Sequence, residues 1–153
     1  MKIYVASSWR NEHLDIVVGA LRNRQHEVYD FRSPKPGNNG FRWSDIDPAW
    51  TNQTRISASA LASGLSHPIA KAGFALDYES LRWAEVCVLV LPCGKSAHLE
   101  AGWMMGQQKP TFVYAPDGLE PELMYLLGGN CICSSLDHLC ARLDSSDELR
   151  SLR

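Results

Sequence analysis

The sequence predicts an α/β domain built on a parallel sheet of about five strands, and three observations carry that prediction. Short apolar runs alternate with segments of helical periodicity from Ile3 to Leu143, the run Val86 to Leu91 is apolar without alternation, and proline or glycine stands at most junctions. A strand with no polar alternation belongs in the middle of a sheet that helices cover on both faces.

Each element follows from its residues. Ile3-Tyr4-Val5-Ala6 is a strand ended by Ser7-Ser8, and Leu14, Val17, Val18 and Leu21 then recur at helical spacing within Glu12 to Arg24. Glu27 to Phe31 reads as a second strand. Pro34, Pro36, Gly37 and Gly40 make the stretch from about 32 to 51 a long loop, rich in aromatics (Phe41, Trp43, Trp50), and a loop of that length usually covers a site. His67-Pro68 opens a helix, because proline is tolerated in the first turn, with Phe74, Leu76, Leu81 and Trp83 as its apolar positions. Pro92-Cys93-Gly94 ends the central strand, a helix covers Ser96 to Gln108, and Pro110 precedes a strand from Thr111 to Tyr114. Glu122 to Leu127, Cys131 to Cys133 and Leu136 to Leu143 read as helix, strand and helix, with a frayed polar tail from Asp144. No internal repeat is visible, and 153 residues suit a single domain over 1–153.

Composition narrows the function. With 45% hydrophobic and 21% charged residues the chain is neither disordered nor a coiled coil. A net charge of -2 supplies no cationic face, so nucleic acid is not an expected partner. The longest apolar run, Val86 to Pro92, falls far short of the ~20 residues of a membrane helix, so no membrane is expected either. The start Met1-Lys2-Ile3-Tyr4-Val5 turns polar by Ser7 and lacks the form of a signal peptide, which points to the cytoplasm. The five cysteines, an odd number, read as thiols.

A parallel sheet places ligands at the carboxyl ends of its strands, where the strand order reverses. Two loops are expected to flank that point: Ser7, Ser8, Trp9 and Arg10 after the first strand, and Cys93 to Ser96 after the central one. Gly94-Lys95-Ser96 is not a phosphate loop, because Leu89 stands where the pattern requires glycine, and no G-x-G-x-x-G follows the first strand. Cys131, Cys133, His138 and Cys140 are metal-ligand types, but strand alternation sends Cys131 and Cys133 to one face, where buried thiols are commoner than a metal site. Lys2, Arg22 and Arg24 read as a solvated surface.

Glu100 stands apart. In a helix that begins near Ser96 it lies in about the first turn, where the helix dipole favours the carboxylate, and an ionised, positioned carboxylate suits a nucleophile. Its small neighbours Ala101 and Gly102 let a substrate or another chain approach closely. The residue also reads as a helix-start acid of electrostatic value alone.

Lys2-Ile3-Tyr4-Val5-Ala6 followed by serine, Asp77 with Leu81 and Ala84 ahead of the central strand, and Ser96-Ala97-His98-Leu99-Glu100-Ala101-Gly102 leading to Lys109-Pro110 resemble the nucleoside 2-deoxyribosyltransferase family and the related nucleotide N-glycosidases. The resemblance runs from Met1 to about Tyr114. It implies a flavodoxin-like (Rossmann-like) sheet and a glutamate, matched by Glu100, that attacks the anomeric carbon of a nucleoside or nucleotide. Tyr4 matches the tyrosine that holds the glutamate, and Asp77 the acid that assists at the base or sugar. On its own Asp77 reads as a solvent-facing helix acid. Such a division of labour needs two carboxyl groups with separated pKa values, one attacking and one carrying a proton.

The chain departs from the transferases in carrying Gly94 six residues before the nucleophile, where they have a base-contacting aspartate, and Ser96-Ala97-His98 where they have Gly-Thr-Ala. The nucleotide-cleaving relatives hold a phosphate with these loops, and Ser7, Ser8, Arg10, Gly94 and Ser96 offer hydroxyls, amides and a guanidinium for one. Hydrolysis is therefore expected over base exchange, although Arg10 reads equally as an exposed charge. His98 is expected to face solvent rather than substrate. Phe41, Trp43 and Trp50 suit either stacking on a base or packing. The resemblance further implies a homodimer or larger homo-oligomer and a small-molecule nucleoside or nucleotide partner, with no metal or organic cofactor. A nucleotide-binding regulatory module without turnover and an oligomeric scaffold are the competing readings.

Overall fold

The computed structural model describes residues 1–51, 55–128 and 131–151. Five strands, β1 (Lys2–Ala6), β2 (Glu27–Asp30), β3 (Val86–Val90), β4 (Thr111–Tyr114) and β5 (Ile132–Cys133), form one all-parallel sheet in the order β2-β1-β3-β4-β5. That order is the flavodoxin-like arrangement, with the reversal between β1 and β3. The helices are α1 (Leu14–Asn23), α2 (Ala58–Leu65), α3 (Pro68–Trp83), α4 (Lys95–Gly106) and α5 (Leu136–Ser151). The chain divides into two compact units, Met1–Asp30 with Trp83–Arg153, and Phe31–Arg82.

The first unit holds the whole sheet. Every residue of β3 and β4 is buried, and successive strand residues point to opposite faces, so both faces of these strands are covered. Register sorts the side chains into rows: Tyr29, Tyr4, Cys87 and Thr111 share one face, and Asp30, Val5, Val88 and Phe112 share the other. Leu14, Val17, Val18 and Leu21 of α1 are buried, and α1 packs on β2, α4 on β1, β3 and β4, and α5 on β4 and β5.

The second unit is loop, α2 and most of α3. Within 32 to 51 the chain makes a 3-10 turn at Trp43–Asp45, closed by the Arg42 amide donating to Asp45 Oδ2 at 2.9 Å. Helix α2, for which the sequence carries no periodic signal, starts at Ser57, whose hydroxyl accepts from the Ala60 amide at 3.1 Å. Its Ala/Ser composition gives little periodicity to detect, so only the cap marks it.

Two expectations are corrected in the first unit. Residues from Asp144 do not fray at once: α5 continues to Ser151, because no glycine or proline interrupts it and polarity alone does not stop a helix. The helix expected at Glu122 to Leu127 is a 3-10 segment, Leu123–Gly128.

Candidate functional site at the carboxyl ends of β1 and β3

The loops that leave β1, β3 and β4 are bonded to one another at the carboxyl end of the sheet. Ser7 donates from its hydroxyl to the Val90 carbonyl at 2.9 Å. Asn11, 6% exposed, donates its amide to the carbonyls of Val90 and Pro92 at 2.9 and 3.0 Å, while its Oδ1 accepts from the His13 amide at 2.8 Å. One buried carboxamide thus fastens the first loop to the end of the central strand with all its bonding groups used. His13 reaches Asp117, after β4, through Nε2 at 2.7 Å, and lies edge-on to Tyr114 with centroids 6.3 Å apart. Arg10 is exposed, and Ser8 contributes its carbonyl to the Asn11 amide at 3.1 Å.

Helix α4 carries Glu100. It starts at Lys95 with Gly94 as its N-cap, so Glu100 is the sixth helical residue and no acid occupies the first turn. The dipole argument is therefore corrected: beyond the first turn the terminal partial charge is largely spent, and the carboxylate owes little to it. What surrounds Glu100 is more telling. The half-buried carboxylate raises the pKa of two thiols after burial has already done so, that of Cys87 within β3 and that of Cys93 in the β3–α4 loop, the latter pushed up to about 12. Cys87 pairs with Tyr4 across β3 and β1, so the thiol that feels Glu100 shares a sheet face with Tyr4. Tyr4 is fully buried and stacked on Tyr29, with centroids 5.1 Å apart and planes 21° apart, which holds its ring in place.

Gly94 and Ser96 are exposed at the start of α4, and nothing lies within 4 Å of where a Gly94 side chain would begin. His98 is exposed, as expected, and its ring is also held by neighbours. Its Nδ1 lies 3.0 Å from the Gly94 carbonyl and 3.5 Å from the Cys93 sulfur, and its Nε2 lies 3.0 Å from the Tyr125 hydroxyl. Because a carbonyl only accepts, the neutral ring carries its proton on Nδ1, and Nε2 accepts from Tyr125. This chain joins the 3-10 segment to the start of α4 beside Cys93, and burial followed by Cys93 raises the Tyr125 pKa. Asn11 and Tyr125 were not among the residues expected at the site. An asparagine three residues before a periodic helix is a faint capping signal, and Tyr125 lies in a segment whose partner no spacing rule reveals.

Asp77, Phe41 and Trp43 belong to the second unit. Asp77 is half-buried on α3 and shares a helix face with Phe74 and Tyr78, whose exposed rings stack with centroids 5.6 Å apart and planes 8° apart. Phe41, Trp43 and Trp50 form a half-buried cluster, Phe41 on Trp43 at 5.1 Å and Trp43 on Trp50 at 6.0 Å, seated over glycines of the two helices. A Cβ on Gly64 would stand 2.6 Å from Trp50, and one on Gly73 would stand 2.8 Å from Phe41 Cβ. These rings pack the unit. Among the described residues no group of three His, Cys, Asp or Glu is arranged to hold a metal ion, and Cys131, Cys133 and Cys140 are buried thiols. Among the same residues no helix is long and apolar enough to cross a membrane.

Fold and sheet order define an α/β chain of flavodoxin-like architecture with its candidate site at the point of strand reversal. No family model and no curated protein matches the chain. Among solved structures it is similar to a 2-deoxyribosyltransferase from the psychrotolerant bacterium Bacillus psychrosaccharolyticus, at 19% identity and a TM-score of 0.53, over 90% of this chain and 88% of that one. The likeness is one of fold, and the neighbour is of the kind that the sequence motifs resemble.

Proposed function

We propose that the chain cleaves or transfers the N-glycosidic bond of a nucleoside or nucleoside 5'-monophosphate, with Glu100 as nucleophile and hydrolysis favoured over base exchange. The observation that carries this reading is the electrostatic reach of Glu100 to Cys87, the neighbour of Tyr4 across the central strands. A Glu100 oxygen attacks the anomeric carbon as the bond to the base nitrogen breaks, giving a glycosyl ester and a departing base. Asp77 supplies the proton that the base takes, and Tyr4 holds the attacking carboxylate. Water then adds at the same carbon, gives a proton to Asp77, and releases the sugar with Glu100 restored.

Gly94 favours water as acceptor, because no side chain there fixes a second base, and hydrolysis then competes without one. Ser8, Arg10, Ser96 and the free amides at the start of α4 form the phosphate-binding edge of this reading, with the Ser7 hydroxyl engaged by Val90 and left to accept. The reading includes a homo-oligomer working in the cytoplasm.

The test is to incubate the protein with ribo- and deoxyribonucleosides and their 5'-monophosphates, with and without a free acceptor base, and to separate the products. Free base from at least one of them, formed without acceptor, is expected. Exchange without hydrolysis overturns the preference for water, and binding without any product favours a regulatory module.

A further inference from the structure

We propose that the outward face of α4 and the adjoining 3-10 segment Leu123–Gly128 form the surface on which a second copy of this chain docks. The proposal extends the oligomer named above by assigning it a surface. Five large apolar side chains are open there: Leu99 is 75% exposed, Leu123 75%, Leu126 74%, Met124 59% and Leu127 57%. Single exposed leucines are ordinary on a soluble protein, whereas five on two adjoining elements form a patch. The geometry of a 3-10 turn explains the arrangement. With three residues per turn, Tyr125 forms the inward edge, Leu123 and Leu126 share a second edge, and Met124 and Leu127 share the third.

The segment is held to α4 at both ends. Tyr125 bonds His98 at 3.0 Å, and Gly128 comes so close to Met105 that a Cβ there would stand 3.1 Å from its terminal methyl carbon. Alongside, Leu99, Gly102 and Gly106 fall at i, i+3 and i+7 on the side of α4 turned from the sheet. Nothing lies within 4 Å of where a side chain on Gly102 or Gly106 would begin. The face is thus a ridge at Leu99 beside a trough, which an apolar side chain of a neighbour fills.

The occupant is a second copy because the surface complements itself. Exposed Lys95 lies one turn before Leu99 on the same face, and exposed Glu120 and Glu122 stand at the start of the 3-10 segment. In a two-fold contact, residue i of one copy meets j of the other and j meets i, so Lys95 faces Glu122 of the partner subunit twice over. If each of the five side chains buries on the order of 100 Å², each copy loses about 500 Å² of apolar surface, most of the ~800 Å² per partner of a stable interface.

Sedimentation velocity across a range of concentrations tests this on the full chain, with Leu99→Asp and Leu126→Asp as separate variants and circular dichroism to verify folding. A dimer or larger assembly that each variant shifts toward monomer at least tenfold supports the surface. A carbodiimide cross-link joining Lys95 of one isotope-labelled copy to Glu122 of an unlabelled one supports it without relying on the variants. A monomer at every concentration overturns both the surface and the oligomer. An assembly that the variants leave intact, with no such cross-link, overturns the surface while the oligomer stands. Base release in the wild-type protein is read separately and bears only on the proposed chemistry.

Discussion

Tyr4 and Cys87 are partners across β1 and β3, and their side chains rise side by side from one face of the sheet. The Glu100 carboxylate of α4 disfavours the Cys87 thiolate that burial already disfavours. A phenol and a thiol thus stand side by side on the two strands between which the order reverses, with the thiol within electrostatic reach of the Glu100 carboxylate.

The Cys93 thiol reports on Glu100. Burial first and the carboxylate second push its pKa up to about 12, so it stays protonated and alkylates slowly at neutral pH. Glu100→Gln removes the second cause. Iodoacetamide labelling of Cys93 at pH 8.5 is expected to run faster in that variant, and an unchanged rate would separate the two groups.

The same shift sets an alkaline limit. The thiol's pKa is higher folded than unfolded, so the folded state binds the proton more tightly and stability falls as pH rises. The contribution is complete below about 9 and fades toward about 12. Melting temperatures from pH 7 to 11 should fall less steeply for Cys93→Ser than for the wild-type chain.

Asn11 offers a test of the loop lacing. Asn11→Ala leaves the Val90 and Pro92 carbonyls short of donors and is expected to cost ~1–3 kcal/mol in denaturant unfolding. Asn11→Asp should cost more, because it sets a carboxylate against two carbonyl oxygens. Equal stability of Asn11→Asp and the wild type would refute this role.

Gly73 is required by Phe41 rather than by α3. Alanine in a helix normally gains ~1 kcal/mol over glycine, yet a Cβ here meets Phe41 Cβ at 2.8 Å, an atom tied to its own backbone. Overpacking of ~1–3 kcal/mol should outweigh the gain, so Gly73→Ala lowers the melting temperature. A rise would show that the loop shifts freely.

The fold was legible where periodicity was strong. Strand β4 falls on its expected residues, α3 opens at Pro68, and the unbroken apolar run of β3 occupies the sheet's middle. Elements stabilised by little beyond local bonds were not legible: α2 rests on the Ser57 cap and an Ala/Ser run, and α5 continues through residues whose polarity resembled a tail. Around the candidate site, motif spacing singles out Glu100 and Tyr4 but not the bonds that lace the loops together. The bond from His98 to Tyr125 spans 27 positions, and the Asn11 bonds to Val90 and Pro92 span 79 and 81, distances that no periodicity encodes.

The most direct measurement compares the rate of base release by the wild-type protein and by Glu100→Gln on the best nucleoside or nucleotide found, with both folds verified. Loss of the nucleophile predicts a fall of about a thousandfold or more, with substrate binding retained. A variant that releases base within tenfold of the wild-type rate would contradict the assignment of Glu100 as the attacking group.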